Sequence, residues 1–181
     1  RFSKHHLLPV GEFVPFEDWL RPLAPLFDLP MSSFSRGDYQ QANLEANGIH
    51  LAPAICFEIA FPHQVMANVY ENTDMIITVS NDAWFGHSHG PAQHLQIAQM
   101  RALELGRPVV RATNNGITAF IDHKGVITTR LPQFMEGNIS APVIATSGFT
   151  PYYHLQELGV WFIVIMLFIC ALYLKRNQKY Q

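Results

Sequence analysis

Cysteine is scarce in this chain, which has two, Cys56 and Cys170. The second lies inside a long uncharged run near the C-terminus, so the polar part of the chain holds one thiol with no partner for a disulfide. Charge is scarce too: 14% of residues are charged against 49% apolar, low for a soluble domain. The net charge of −2 comes without an arginine-rich stretch or a basic stripe, which argues against a nucleic-acid partner. There is no internal repeat and no low-complexity tract. There is no initiator Met before Arg1 and no signal peptide. The expectation is a C-terminal piece of a longer protein, with functional residues upstream.

The apolar excess is concentrated in Leu158–Leu174, which carries no charge. As a helix it spans roughly 25 Å at ~1.5 Å per residue, close to the ~30 Å of a bilayer core. Trp161 and Tyr173 suit the two interfaces, and Lys175, Arg176 and Lys179 follow at once. The positive-inside rule places these in the cytoplasm and the preceding domain on the opposite face. The expected organisation is a catalytic domain over 1–155, a transmembrane helix over 156–175 and a cytoplasmic basic tail over 176–181. An unpaired thiol in an oxidising compartment is buried or has work to do.

From Glu12 to Arg36 the chain is rich in Pro, Leu and Phe. Pro9, Pro15, Pro22, Pro25 and Pro30 forbid a long helix, and Asp18–Leu23 has room for one helical turn. Trp19, Leu23 and Phe27 make this arm too apolar for a solvated loop. It either packs on its own domain or touches lipid and roofs an apolar pocket.

Beyond the arm the pattern alternates. Ile49–Phe57 reads as a strand, Ile59–Tyr70 as a helix with Pro62 in its first turn, and Asp74–Ser80 as a buried strand. Pro91–Leu105 reads as a helix closed by Gly106. Val109–Thr113, Ile117–Asp122, Val126–Leu131 and Asn138–Ala145 read as strands, with a hairpin turn at His123-Lys-Gly125. This order predicts an α/β layered domain with a mixed sheet.

Three segments carry candidate chemistry: Lys4-His-His-Leu-Leu-Pro-Val-Gly-Glu12, Ala54-Ile-Cys56-Phe-Glu58 and Ser80-Asn-Asp-Ala-Trp84-Phe-Gly86. With them the chain resembles the carbon–nitrogen hydrolase (nitrilase) superfamily. Gly90-Pro-x-Gln-His94, Met100-Arg-Ala-Leu-Glu104, Asn114-Asn-Gly116 and the terminal apolar helix narrow the resemblance to its membrane-bound branch, the bacterial apolipoprotein N-acyltransferases. The resemblance implies a nitrilase-like α-β-β-α sandwich, partial here because its N-terminal part is missing, followed by one C-terminal transmembrane helix. It also implies a Glu–Lys–Cys catalytic set. Cys56 matches the nucleophile and Lys4 the lysine, while the general-base glutamate would lie upstream, so the isolated chain is expected to be inactive. Glu12 and Glu58 match auxiliary acidic positions. Phe57 stands where the family often has Tyr.

Physical chemistry points the same way. A free thiol of pKa ~8.5 is only a few per cent thiolate at neutral pH and needs a base or a cation. Lys4 and the Phe57 backbone N–H can stabilise a developing oxyanion. A thiol at the end of a strand lies at the sheet edge where open α/β sheets bind ligands. Trp84 and Phe85 either belong to the core or line the acyl site. His94 reads as a packed helix residue, Arg101 and Glu104 as an ion pair, and His87-Ser-His89 lacks a third ligand, so no metal is expected.

The implied reaction moves a fatty acyl chain from a phospholipid, through a Cys56 thioester, to the N-terminal amine of a diacylglyceryl-modified apolipoprotein. No cofactor is required. The implied place is the bacterial inner membrane, with the catalytic domain periplasmic. A membrane-tethered amidase or nitrilase acting on small amides, and a non-catalytic lipid-binding fragment, remain as alternatives.

Overall fold

A computed structural model describes residues 1–9, 12 and 34–178. They fall into two compact units, Arg1–Gly148 and Phe149–Gln181. The arm residues Trp19, Leu23 and Phe27, and the turn expected over Asp18–Leu23, lie outside the described residues.

The first unit is built on one six-stranded sheet in sequential order. Its strands are β1 (Leu44–Ala46), β2 (Ile49–Ile55), β3 (Met75–Asn81), β4 (Val109–Asn114), β5 (Thr118–Ile121) and β6 (Ile127–Leu131). β2, β3 and β4 run parallel, and the outer pairs are antiparallel. The parallel centre follows from its crossovers. The first is a 3-10 turn, Cys56–Ala60, with helix α1 (Pro62–Ala67), and the second is helix α2 (Gly90–Leu105). Ile59, Ile76, Ala98, Ala102, Val109 and Ala119 are fully buried and form the core. Small alanines at 98 and 102, one turn apart, let α2 lie close over β4 and the Cys56 turn. Gly106 then ends α2 in the left-handed conformation at φ 61°.

The alternating pattern is recovered within one or two residues, with three corrections. Ile49–Phe57 stops as a strand at Ile55, because Cys56 turns the backbone to φ 57°. The helix expected over Ile59–Tyr70 is split: Glu58 and Ile59 are drawn inward in a 3-10 turn, and α1 starts at Pro62, whose missing N–H belongs in a first turn. Asn138–Ala145 forms no strand. Its half-buried residues alternate as a strand's would, but Pro142 interrupts the donor series a ladder needs. β1 was not expected, although Asn47-Gly48, both at positive φ, is a strong hairpin signal.

The second unit holds α3 (Pro151–Leu155), capped by the Thr150 side chain, and α4 (Leu158–Gln178). Leu158–Arg176 is long and apolar enough to cross a membrane, and its side chains are exposed on all faces. Lys175 and Arg176 sit in its last turn, where cations favour the helix dipole.

Candidate active site

The parallel register brings the carboxyl ends of three strands side by side. Ile55 lies opposite Val79, and Asn81 opposite Asn114. Cys56 is the first residue past the end of β2. Its φ of 57° is uncommon for a residue with a Cβ, and the left-handed geometry lifts it out of the strand line. Its side chain is half-buried and lines a cavity of about 550 Å³. Leu8, Ile55, Val79, Trp84 and Ala112 give that cavity apolar walls, with polar groups at Glu12, Ser80, Asn81, Thr113 and Asn114. The volume falls in the range of small-molecule sites.

Glu58 ties the N-terminal segment to the cysteine turn. Its carboxylate is buried, with 1% of the residue exposed. Oε1 accepts from the backbone N–H of His5 at 2.6 Å and of His6 at 3.2 Å, and from Gln64 Nε2 at 3.0 Å. Oε2 accepts from the Ile55 N–H at 2.8 Å. One carboxylate thus fixes the residues flanking Lys4 and Cys56 in a common frame. Gln64 also bonds the His6 ring, which stacks on Phe61 at 3.9 Å between centroids. On the other side the Gly37 N–H donates to the Lys4 carbonyl at 2.8 Å, and a Cβ on Gly37 would overlap the Ser3 carbonyl.

Lys4 is nearly buried, its side chain 11% exposed, and its Nζ donates to both Glu12 oxygens at 2.7 and 2.6 Å. Glu12 also accepts from the Leu8 N–H at 2.8 Å and lines the cavity. A lysine held this way keeps its charge in one place. Phe57 is partly exposed and meets the Phe61 ring edge-on.

Trp84 and Phe85 part company. Trp84 is 74% exposed and forms part of the cavity wall. Phe85 does not line it; its ring stands edge-on to His94 at 6.0 Å, and a Cβ on Gly90 would overlap it. Arg101 and Glu104 form the expected ion pair at 2.9 Å. His87 packs on the Phe134 ring.

A buried polar cluster beside Cys56 was not read from the sequence. Asp82 Oδ1 accepts from Ser80 Oγ at 2.6 Å and lies 3.0 Å from His94 Nδ1, while Oδ2 accepts from Arg111 Nη2 at 2.6 Å. His94 Nε2 lies 3.3 Å from the Cys56 carbonyl oxygen. Burial works to raise the Asp82 pKa, but hydrogen bonds from His94 and Ser80 and the charge of Arg111 outweigh it and hold the carboxyl below its ordinary value. Burial lowers the pKa of Arg111, against the opposing pull of Asp82 and Cys56. Ser80 and Asp82 sit at the end of β3 and just past it, Arg111 within β4 and His94 inside α2, 12 to 29 positions apart in their hydrogen-bonded pairs except for Ser80 and Asp82, two apart. An Arg inside one apolar strand and an Asp just past the end of its parallel neighbour were the available signal.

A mixed sheet with a parallel centre, a cysteine just past a strand end, a paired lysine and a largely apolar cavity describe an α/β domain with a thiol at its ligand-binding edge. The carbon–nitrogen hydrolase family profile matches residues 1–150, and the chain belongs to that family. It is 56% identical over 178 residues to an apolipoprotein N-acyltransferase of Vibrio parahaemolyticus, covering 98% of this chain and 35% of the relative. To that of Photobacterium profundum it is 61% identical over 161 residues, covering 89% and 31%. The chain therefore spans about a third of the length of these curated relatives. Among solved structures, a glutamine-dependent NAD+ synthetase from Acinetobacter baumannii superposes with a TM-score of 0.55 at 18% identity, over 79% of this chain and 28% of that one. A carbon–nitrogen hydrolase from Helicobacter pylori gives 0.50 at 12%, over 57% and 43%. These likenesses establish the fold.

Proposed function

We propose that the chain is the thiol-bearing part of an apolipoprotein N-acyltransferase, and that Cys56 carries the acyl group. The observation that carries the reading is Cys56 itself: a left-handed residue past the end of a parallel strand, on the wall of an apolar cavity. The 56% and 61% identities to proteins of that name support it.

In this reading Cys56 Sγ attacks the ester carbonyl of a phospholipid, and its proton passes to a glutamate supplied from outside this chain. Lys4 and the Phe57 N–H stabilise the tetrahedral oxyanion. The C–O bond breaks, the lysophospholipid oxygen takes the proton, and a thioester remains. The amine of a diacylglyceryl-modified apolipoprotein then attacks, and the thiolate leaves and regains a proton. Two easy steps replace one difficult transfer. Glu12 keeps Lys4 in position and Glu58 aligns the two segments. Trp84 borders the acyl chain, and the arm bearing Trp19, Leu23 and Phe27 admits lipid. Residues 1–155 form the catalytic portion on the periplasmic side of the inner membrane, 156–175 cross it, and 176–181 are cytoplasmic.

The test uses the full-length protein incubated with phospholipid and read by mass spectrometry. Cys56→Ala should abolish the acyl adduct and Cys170→Ala should leave it intact. An adduct of undiminished yield on the Cys56 variant places the nucleophile elsewhere.

A further inference from the structure

The cluster beside Cys56 contains a titratable group that the reaction above leaves unused. His94 is buried on α2, 4% exposed, and its two ring nitrogens face different partners. Nδ1 lies within 3.0 Å of Asp82 Oδ1 and 3.2 Å of Arg111 Nη2. Nε2 faces the carbonyl of Cys56 at 3.3 Å. A carbonyl oxygen can only accept, so a hydrogen bond between this pair is one that Nε2–H donates. The imidazole therefore reaches the main chain of the cysteine and not its thiol.

The surroundings hold that ring in place. A Cβ on Gly116 would overlap the Asp82 carboxylate, so the Asn114-Asn-Gly116 turn closes directly on it. Arg111 Nε is anchored on the Ile117 carbonyl at 3.2 Å. Phe85 covers the ring edge-on, itself packed against Gly90. Arg111 is 1% exposed, so its Nη2 meets Asp82 and the His94 ring away from solvent. The residue this cluster grips has a left-handed backbone, which is unfavourable for a side chain with a Cβ and persists only where neighbours over-determine it.

We propose that His94, oriented by Asp82 and Arg111, is a positioning residue for acyl transfer: its Nε2–H holds the Cys56 carbonyl and so fixes the left-handed turn that aims the sulfur at the substrate carbonyl. The role rests on Cys56 being the nucleophile. It also gives one task to three separated motifs, since Asp82 and Phe85 meet this ring and are themselves backed by Gly116 and Gly90.

The experiment compares His94→Phe and His94→Gln in the full-length protein. Phe keeps the ring volume and cannot donate, whereas Gln can. Thioester formation from phospholipid demands one direction of approach, so it should fall about 100-fold in His94→Phe, as for a misplacement of about 1 Å. Alkylation by iodoacetamide accepts many directions and should change less than about threefold, since it follows thiolate fraction and access. The loss should appear in kcat with KM nearly unchanged. His94→Gln should recover at least about tenfold of it. Wild-type transfer by His94→Phe, parallel loss of transfer and alkylation, or a Gln variant no better than Phe would each overturn the proposal. If His94→Phe does not fold, Gly116→Ala displaces Asp82 without touching α2 and should give the same split between transfer and alkylation. Equal effects on both there would also overturn it. A persisting adduct in Cys56→Ala would instead remove the nucleophile assignment.

Discussion

Glu58→Gln is the most demanding test of the geometry, because one atom changes and four hydrogen bonds depend on it. The carboxylate accepts from His5 N, His6 N and Gln64 Nε2 on one oxygen and from Ile55 N on the other. A carboxamide has one acceptor oxygen. With it placed toward His5, the new NH2 meets the Ile55 N–H donor to donor; turned over, it opposes three donors. The gentler choice leaves one buried donor unpaired, at about 1–3 kcal/mol, and removes the charge assistance from the other bonds. We expect a total loss of about 2–4 kcal/mol. The damage should not be confined to stability. The bonds to His5 and His6 flank Lys4, and the bond to Ile55 precedes Cys56, so the two reactive groups lose their common frame. A relative shift of about 1 Å should lower thioester formation by about 100-fold. The measurement is the thermal midpoint of the full-length protein in detergent, with adduct yield followed well below that midpoint. A Gln variant with wild-type midpoint and wild-type rate would refute the argument that this carboxylate aligns the site.

The other predictions concern separate parts of the molecule. Lys4→Arg replaces a compact ammonium with a planar fork that cannot occupy the same place against Glu12; adduct formation should fall at least about 100-fold with little change in melting, and wild-type turnover would leave Lys4 a bystander. Asp82 has a depressed folded-state pKa, so its stabilisation is complete above its unfolded value of about 3.8 and is lost as pH falls through the folded value. Asp82→Asn should therefore lower the midpoint at neutral pH and flatten its decline below about pH 4, and an unchanged acid limb would count against the cluster. Replacing Trp19, Leu23 and Phe27 together by Ser should abolish transfer from membrane-embedded donor by well over ~100-fold while sparing a water-soluble acyl ester. Equal losses on both donors would return the arm to ordinary packing.

Much of this arrangement was legible in the residues. The β-branched runs at 75–81 and 109–114 and the Pro and Gly bounding 91–106 mark strands and a helix because their signals are local. Cys56 and Lys4 stood out because a lone thiol and a recognisable segment do not depend on packing. Asn138–Ala145 was misread because alternation reports half-burial and not ladder bonding, and the two separate where Pro142 intervenes. The fate of Glu58 was hidden for a different reason. Nothing in its neighbours says that it will accept hydrogen bonds from residues more than fifty positions away. His94, Asp82 and Arg111 become one unit only after β3 and β4 pair and α2 is laid beside them.

The unbroken strand order has a consequence for how the protein assembles. Every strand pairs with the one made just before it, so the sheet can grow as a series of short loop closures, each with a small entropic cost. The Lys4 segment is the exception. It precedes β1 in the chain and docks on Glu58 across 53 positions, and its target, the turn after β2, does not exist until that strand is in place. The scaffold can thus mature without its cation, and among the described residues the longest hydrogen-bonded closure is the one that brings the lysine segment to the cysteine frame. The cation would then reach a thiol whose surrounding fold is already closed.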